Sequence, residues 1–258
     1  MADLAWHTVA LLVLAALVAG WVDAVVGGGG LIQLPSLLIA LPDEPVATVS
    51  GNNKVSSFAG TLVATGTYLR KVSVQWSVAI PLVIAAYLGS TIGARLVSLM
   101  PREWFTPIVL AALVVVGTYT LRKPSMGLEH QVKASGARLI AAMVAIGLLV
   151  GVYDGFLGPG TGSFFVIAMV AFLGYGFLQA SVMAKLANLT TNLAAIVVLR
   201  HDIIWSLGLV MAAANLTGGF VGASMAVKHG SGFVRKVFLV VVGLLSLRLL
   251  WDTIAMFR

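Results

Sequence analysis

Four charged side chains lie inside apolar stretches of the sequence, at Asp23, Lys54, Asp154 and Lys185. A charged side chain at the centre of a bilayer costs about 2.5–3.5 kcal/mol even on the scale from insertion experiments. The two lysines could supply positive potential to an anion, while the two aspartates balance charge, hold an irregular backbone or carry protons. A structural alternative stays open, in which each Asp caps a broken helix or pairs with a Lys to pin two helices together.

Two glycine-rich segments follow the aspartates, at residues 27–30 (GGGG) and 158–162 (GPGTG). Four consecutive glycines in a helix interior would cost roughly 1 kcal/mol each relative to alanine, so an interrupted helix is the simpler interpretation. Each interruption would open a new half-helix whose free N–H groups and positive dipole end suit an anion. A hinge, or close packing of helices through small residues, is the alternative. The candidate substrate contacts here are Gly28, Gly29, Gly160 and Thr161.

Amide side chains flank both lysines. Asn52 and Asn53 precede Lys54 directly, whereas Lys185 is followed by Asn188 and Asn192. On a helix, the second set shares one face because residues three and four apart are neighbours. Such a polar stripe would turn towards a cavity or towards another helix, and hydrogen bonding between helices could alone explain it. The predicted substrate-binding side chains are Lys54, Lys185, Asn52, Asn53, Asn188 and Asn192, with Asp23 and Asp154 as coupling or structural charges.

The elements that must position these residues are membrane helices. The 258-residue chain is 60% hydrophobic and 10% charged, with a mean hydropathy of +1.03, whereas soluble domains carry about 25% charged residues. Because only helices and closed barrels satisfy their backbone in lipid, and the apolar runs lack the alternation of barrel strands, we expect an all-α polytopic membrane protein. The lengths of these runs predict about eight transmembrane helices, some of them broken at glycine, with one run at 104–121.

The chain also contains an internal repeat. An offset of 131 residues aligns polar and glycine positions of the two halves, and an offset of 129 aligns Trp76 with Trp205. We therefore predict a first transmembrane repeat at 1–121, a polar linker at 122–138 and a second repeat at 139–258. Such repeats are typical of secondary transporters, which bind substrate at the repeat interface. The spacing leaves open whether the repeats are parallel or inverted. The residues matched by the first offset are Gly20, Asp23, Gly27, Gly29, Ser50 and Lys54 with Gly151, Asp154, Gly158, Gly160, Ser181 and Lys185.

Several classes of chemistry receive no support from the sequence. There are no cysteines, and the four histidines show no zinc-binding spacing, so we expect neither a metal nor a cofactor nor catalytic residues. Neither glycine segment has the Gly-Lys-Ser/Thr ending of a nucleotide-binding loop. The net charge of +7 comes mainly from short loops, where membrane proteins keep their basic residues, so no nucleic-acid partner is expected.

The glycine segments and their flanks carry a family resemblance. Residues 20–30 (GWVDAVVGGGG), followed by Leu34-Pro35, resemble the motif of the TauE/SafE family of sulfite and sulfonate exporters. Residues 151–162 and 185–192 resemble that family's second repeat, so the likeness covers essentially the whole chain. It implies a transporter of sulfite, sulfonates or other small anions. The second segment departs from the first, with Pro159 for Gly28 and Thr161 for Gly30, which implies a stiffer break and an asymmetric site.

Together these observations predict an exporter of a small sulfur-containing or organic anion, multi-pass in the bacterial cytoplasmic (inner) membrane. An interior-negative potential favours export by roughly 2.3 kcal/mol per negative charge per 100 mV, so ATP is not required. The expected partners are the anion and the lipid bilayer, with a homodimer left open. One alternative is an importer coupled to protons or Na⁺. Another is a membrane enzyme or assembly factor, in which a hydroxyl of Thr161 or Ser163 would act beside Asp154.

Overall fold

The regular structure of the described chain is helical. The computed structural model describes residues 5–97, 99–101, 103–104, 107, 132 and 134–256, and contains no strand within them. Helix α8 changes direction at Gly230, which has a positive φ of 70°. The eight helices are α1 (Trp6–Val26), α2 (Gly30–Ala40), α3 (Val46–Leu69), α4 (Trp76–Val97), α5 (Gly136–Phe156), α6 (Thr161–Leu173), α7 (Phe177–Leu199) and α8 (Trp205–Met256).

Within the described residues, five helical segments are long and apolar enough to cross a membrane: α1, α4, α5, α7 and the Trp205–Val234 part of α8. Helix α3 is equally long, at 24 residues, but it carries the polar stretch around Lys54. Helices α2 and α6 have 11 and 13 residues and are too short to span, since a crossing takes about 20. The prediction of an all-helical membrane protein is confirmed, whereas the count of eight crossings stays a prediction because most of 104–121 lies outside the described residues.

The chain is interrupted at both predicted glycine segments. Helix α1 ends at Gly27, whose φ is 81°, and α2 begins at Gly30. In the second segment Gly158 and Gly160 have φ values of 87° and 75°, between the end of α5 and the start of α6. Side chains other than glycine rarely adopt these left-handed conformations. The glycines therefore let the chain turn between a long helix and a short one, as predicted.

The helix order agrees with the predicted repeat. Adding the offsets of 131 and 129 residues to the starts of α1–α4 reproduces the starts of α5–α8 to within one residue. Both sets run long helix, break, short helix, long helix and long helix. Most of the predicted linker at 122–138 lies outside the described residues, and α5 begins at Gly136. The domain boundaries and the two-repeat organisation stay predictions.

The main helix contacts cross between the two predicted halves. Helix α1 packs chiefly against α8, α4 packs chiefly against α5, and α3 and α4 also contact α8 and α7 respectively. Glycines let these backbones approach closely, as is usual in membrane helix pairs. A Cβ on Gly20 would lie 2.2 Å from the carbonyl oxygen of Asn215, and one on Gly93 would lie 2.1 Å from that of Val152. Neither half could bury these helix faces without the other.

We predict that Gly93→Ala lowers the free energy of unfolding by about 1–3 kcal/mol, because the added methyl group must push α4 away from α5. The measurement is thermal unfolding of the detergent-purified protein. Gly66→Ala is the matched control, since Gly66 lies within α3 with no atom within 4 Å of the new Cβ. That change should be neutral or stabilising by up to about 1 kcal/mol. Equal effects of the two substitutions would contradict the close crossing.

Candidate functional site

The four buried charges form two ion pairs that cross between the predicted halves. Lys54 Nζ lies 2.7 Å from Asp154 Oδ2 and donates a hydrogen bond of 2.8 Å to the backbone oxygen of Asp154. Lys185 Nζ lies 3.0 Å from Asp23 Oδ2 and donates to the backbone oxygen of Asp23. Each lysine, from α3 or α7, thus binds the end of a long broken helix in the other predicted half.

These pairs are almost completely removed from solvent. The Lys54 and Asp154 side chains are 3% and 2% exposed, and those of Lys185 and Asp23 are 2% and 12% exposed. Within the described residues these are the buried charged side chains, and their formal charges sum to zero. A buried charge is tolerated when it is paired and hydrogen-bonded, so the structural alternative of Asp–Lys pairing is present at both positions. Asp23 in addition accepts a 3.4 Å bond from the N–H of Gly29, at the start of α2.

The two glycine breaks touch each other next to the ion pairs. The N–H of Ser163 donates to the backbone oxygen of Gly27 at 3.1 Å, and its hydroxyl donates to that of Val26 at 2.8 Å. A Cβ on Gly162 would lie 2.4 Å from the Cα of Gly27, so only residues without a side chain fit at this crossing. The ends of α1 and α5 and the starts of α2 and α6 therefore converge on one place.

A small cavity lies at this convergence. Its volume of about 10 Å³ is room for about one water molecule, so an anion larger than water would need the surrounding elements to move apart. Among the predicted site residues, Gly28, Gly29, Asn52 and Lys185 are not part of its described lining. The lining consists of Asp23, Gly27, Gly30, Asn53, Lys54, Ser57, Asp154, Gly158, Gly160, Thr161, Gly162, Asn188 and Asn192.

Two amides of the cavity lining keep hydrogen-bonding capacity unused. Asn53 Oδ1 and Asn192 Nδ2 are buried and have no partner among the described residues. A buried polar atom without a partner is unfavourable by about 1–3 kcal/mol, which favours a ligand or water as the missing partner. Asn52 Oδ1 is likewise buried without a partner, but Asn52 is not part of the cavity lining, and its Nδ2 donates to the Thr48 backbone oxygen at 2.8 Å.

The hydroxyls near Asp154 are engaged by the backbone. Thr161 Oγ1 donates to the oxygen of Gly158 at 2.7 Å, and the Ser163 hydroxyl donates to α1 as described. Neither is hydrogen-bonded to a carboxylate or a histidine that could act as a base, which nucleophilic catalysis requires. The described residues also contain no group of three or more His, Asp or Glu side chains that could hold a metal ion.

Sequence reasoning missed three residues that shape this site. Ser57 lines the cavity, and its position three residues after Lys54 on α3 was the available signal. Two tyrosines hold the breaks: Tyr153 Oη donates to the Pro159 oxygen at 2.5 Å, and Tyr68 Oη donates to the Ala24 oxygen at 3.0 Å. Nothing in the spacing of the tyrosines distinguishes them from interfacial aromatic residues.

The family model described as "Sulfite exporter TauE/SafE" matches residues 12–249. The chain belongs to the TauE/SafE family. Its similarity therefore includes both breaks, both ion pairs and the whole cavity. The family and the relatives below are described as transporters and not as enzymes, so this TauE/SafE protein is a multi-pass membrane transporter and the enzyme alternative is set aside.

Relatives of similar length carry the same general description. A "Probable membrane transporter protein ORF9" of Sinorhizobium sp is 34% identical over 98% of this chain and 96% of the relative. A "Probable membrane transporter protein" of Haemophilus influenzae is 32% identical over 97% of each chain. The "Probable membrane transporter protein YfcA" of Escherichia coli K12 is 31% identical over 92% of this chain and 88% of the relative. No solved structure matches this TauE/SafE chain.

We expect Lys54→Met to destabilise the protein by about 3–5 kcal/mol, because it leaves Asp154 as an unpaired buried carboxylate. The double variant Lys54→Met/Asp154→Leu removes both charges and should recover much of that loss. The measurement is a double-mutant cycle on thermal unfolding in detergent, with Asp154→Leu as the fourth corner. Additive losses from the two single substitutions would argue against a direct ion pair.

Proposed function

We propose that this protein is a secondary transporter that exports a small sulfur-containing or organic anion, such as sulfite or a sulfonate, across the bacterial cytoplasmic membrane. The observation that carries the proposal is the small cavity between the two breaks, where a buried lysine and an unpaired amide nitrogen line the same space. The description of the matched family as a sulfite exporter supports the substrate class. The multi-pass architecture supports a path across a bilayer.

Lys54 is the proposed primary contact of the anion. Its ammonium has three N–H donors, and the observed bonds go to the carboxylate and the backbone oxygen of Asp154. An anion in the cavity would compete with the Asp154 carboxylate for this ammonium. Charge-assisted hydrogen bonds of this kind are roughly twice as strong as those between neutral groups. Lys185 would play the equivalent part through Asp23, at the rim of the cavity.

The amides would complete the binding site. Asn192 offers its unpaired nitrogen as a donor, while Asn53 and Asn188 contribute further polar atoms to the lining. The oxygens of a sulfite or sulfonate group accept several hydrogen bonds from different directions. Donors on α3 and α7 could therefore hold such a group from both predicted halves. Gly160 and Thr161 would let the backbone approach the anion closely at the start of α6.

The aspartates would balance the charge of the two lysines while no anion is bound. Without Asp23 and Asp154, two buried ammonium groups would be left without partners, which is strongly unfavourable. With the aspartates, the empty site is neutral overall, and the arriving anion exchanges one negative partner of the lysine for another. The same carboxylates also tie the lysines to the ends of α1 and α5, so release of a lysine would loosen the broken backbone.

Alternating access would follow from the crossed arrangement. Substrate sites at the interface of two repeats are typical of secondary transporters, in which one repeat rocks or gates against the other. The cavity described here has room for about one water molecule, so binding of the anion would require the surrounding helices to move apart. Opening on one side of the membrane and then on the other would expose the same lysines in turn.

Anion flux in proteoliposomes tests this function directly. We predict that an imposed potential drives movement of one anion among sulfite, sulfoacetate and sulfate, and that Lys54→Gln/Lys185→Gln reduces it to the background of empty liposomes. Lys71→Gln is the matched control, since Lys71 is exposed at the end of α3 and should retain normal flux. Uptake that requires an inward proton or Na⁺ gradient would instead favour the importer.

A milder variant separates binding from folding, because it leaves all four charges in place. Asn192→Leu removes the unpaired amide nitrogen while keeping a side chain of similar size. A hydrogen bond to a charged group contributes about 1.5–3 kcal/mol, so the KM for the transported anion should rise at least about tenfold with little change in thermal stability. An unchanged KM would remove Asn192 from the site, and the absence of flux for every anion would refute the transporter assignment to these substrates.

A further inference from the structure

A second buried polar network lies beside the cavity, centred on Gln33 of α2. Gln33 is fully buried. Its Oε1 accepts bonds from Asn215 Nδ2 of α8 at 2.9 Å and from Ser56 Oγ of α3 at 3.2 Å. Its Nε2 donates to the backbone oxygen of Asn53 at 3.4 Å. One side chain thus joins the short helix α2 to two long helices.

The network has no polar counterpart in the second half. The offsets of 131 and 129 residues place Phe164, Ala187 and Ala86 at the positions of Gln33, Ser56 and Asn215. The ion pairs and the glycine breaks are matched between the halves, but this feature is one-sided. The two short helices that flank the cavity therefore differ in that only α2 carries a buried amide bonded to other helices.

Helix α6 is held by apolar packing in addition to the two hydrogen bonds that Ser163 donates to the end of α1. The ring of Phe164 lies edge-on to that of Tyr153, with centroids 4.7 Å apart. Phe165 and Met169 are fully buried in the larger apolar cluster of the molecule, together with Val166, Val170 and Leu173. Separating such packed surfaces and exposing them to water is unfavourable in proportion to the apolar area that becomes exposed. Helix α6 is accordingly suited to act as a fixed wall of the cavity.

Helix α2 buries Leu31, Leu34 and Leu37 as well, but on one side it has the polar Gln33 network, called the seam below, and on another it has free space. Hydrogen bonds between protein groups can be exchanged for hydrogen bonds to water with a small net change in free energy. On its other side, an open apolar cleft of about 780 Å³ separates α2 from α1, with Leu14 and Val18 facing Ile32 and Ile39. Lipid chains filling such a cleft can be displaced sideways, so α2 has room to move.

The first turn of α2 covers the second break. A Cβ on Gly30 would lie 3.3 Å from the Cα of Pro159, and Leu31 Cδ2 lies 3.5 Å from the position of a Cβ on Gly160. Gly30, Gly158 and Gly160 all line the cavity. A displacement of α2 towards α1 would therefore uncover the cavity from this side.

We propose that α2 is the moving gate of the cavity, that α6 is its fixed wall, and that the Gln33 network eases opening because water can replace its hydrogen bonds while α2 is displaced. The proposal rests on the proposed transport function only in requiring a cavity that opens. Water entering the seam would form hydrogen bonds with the side chains of Gln33, Ser56 and Asn215 while α2 is displaced. Loss of that water on closing would restore the three hydrogen bonds.

The absence of cysteine from the sequence allows a direct test by thiol labelling. Ser57→Cys places a single reporter in the cavity lining, and its reaction with a maleimide in membrane vesicles reports opening. Gln33→Met/Asn215→Ala removes both amide side chains from the seam, so water can no longer replace their hydrogen bonds when α2 is displaced. We expect labelling to become at least about tenfold slower and the maximal flux to fall in parallel, with little change in KM. Phe164→Leu, the control in α6, should change the labelling rate by less than about twofold.

Labelling of Gln33→Met/Asn215→Ala that is as fast as in the parent, or faster, would overturn the gate, as would an equal slowing by Phe164→Leu. Asn215→Ala alone is the milder variant if the double variant unfolds early in a thermal scan, and it should slow labelling by a smaller factor. Because labelling needs no substrate, this result is separable from the flux assays. An absence of anion flux with the expected labelling pattern would refute the transported substrates and leave the gate supported.

Discussion

The two ion pairs between lysines and aspartates of opposite halves are the constraint on which the rest of the structure depends. Each lysine must reach across the molecule to the end of a broken helix, and each aspartate must point away from its own half. A buried charge without its partner would be severely unfavourable in this environment. The helices are therefore held in the one arrangement that brings Lys54 to Asp154 and Lys185 to Asp23 at the same time.

The glycines make that arrangement sterically accessible. Contact between the breaks at Gly27 and Gly162 leaves no space for a side chain, and the tight crossings of α1 with α8 and of α4 with α5 bring the long helices close enough for the lysines to reach. Small residues in membrane helices usually serve such close packing. Here the packing and the electrostatics involve the same helices, because Asp23 and Asp154 lie on α1 and α5, which make these crossings.

The membrane class, both breaks and the four charges could be predicted from the sequence, because each has an unusual local composition. These are long apolar runs, consecutive or closely spaced glycines within such runs, and charged residues inside them. The sequence could not predict which lysine pairs with which aspartate. Asp23 and Lys54 lie in the same half, and hydrophobic periodicity gives no information about contacts between residues 100 positions apart. Asn52 was grouped with Asn53 by adjacency, yet consecutive helical residues point about 100° apart and only Asn53 reaches the cavity. The Gln33 network escaped notice because its members lie on three separate helices.

The crossed pairing also has a consequence for how the chain is made. During synthesis Asp23 and Lys54 enter the membrane long before their partners exist, with sequence separations of 162 and 100 residues. At a synthesis rate of about 5–20 residues per second, roughly 5–20 seconds pass between the synthesis of Lys54 and that of Asp154. In that interval the nascent first half must keep its charges near water, near lipid headgroups or against the insertion machinery. Folding of the protein in the membrane therefore has a late step. In that step, the charges of the first half leave their temporary contacts and form the ion pairs once the second half is complete.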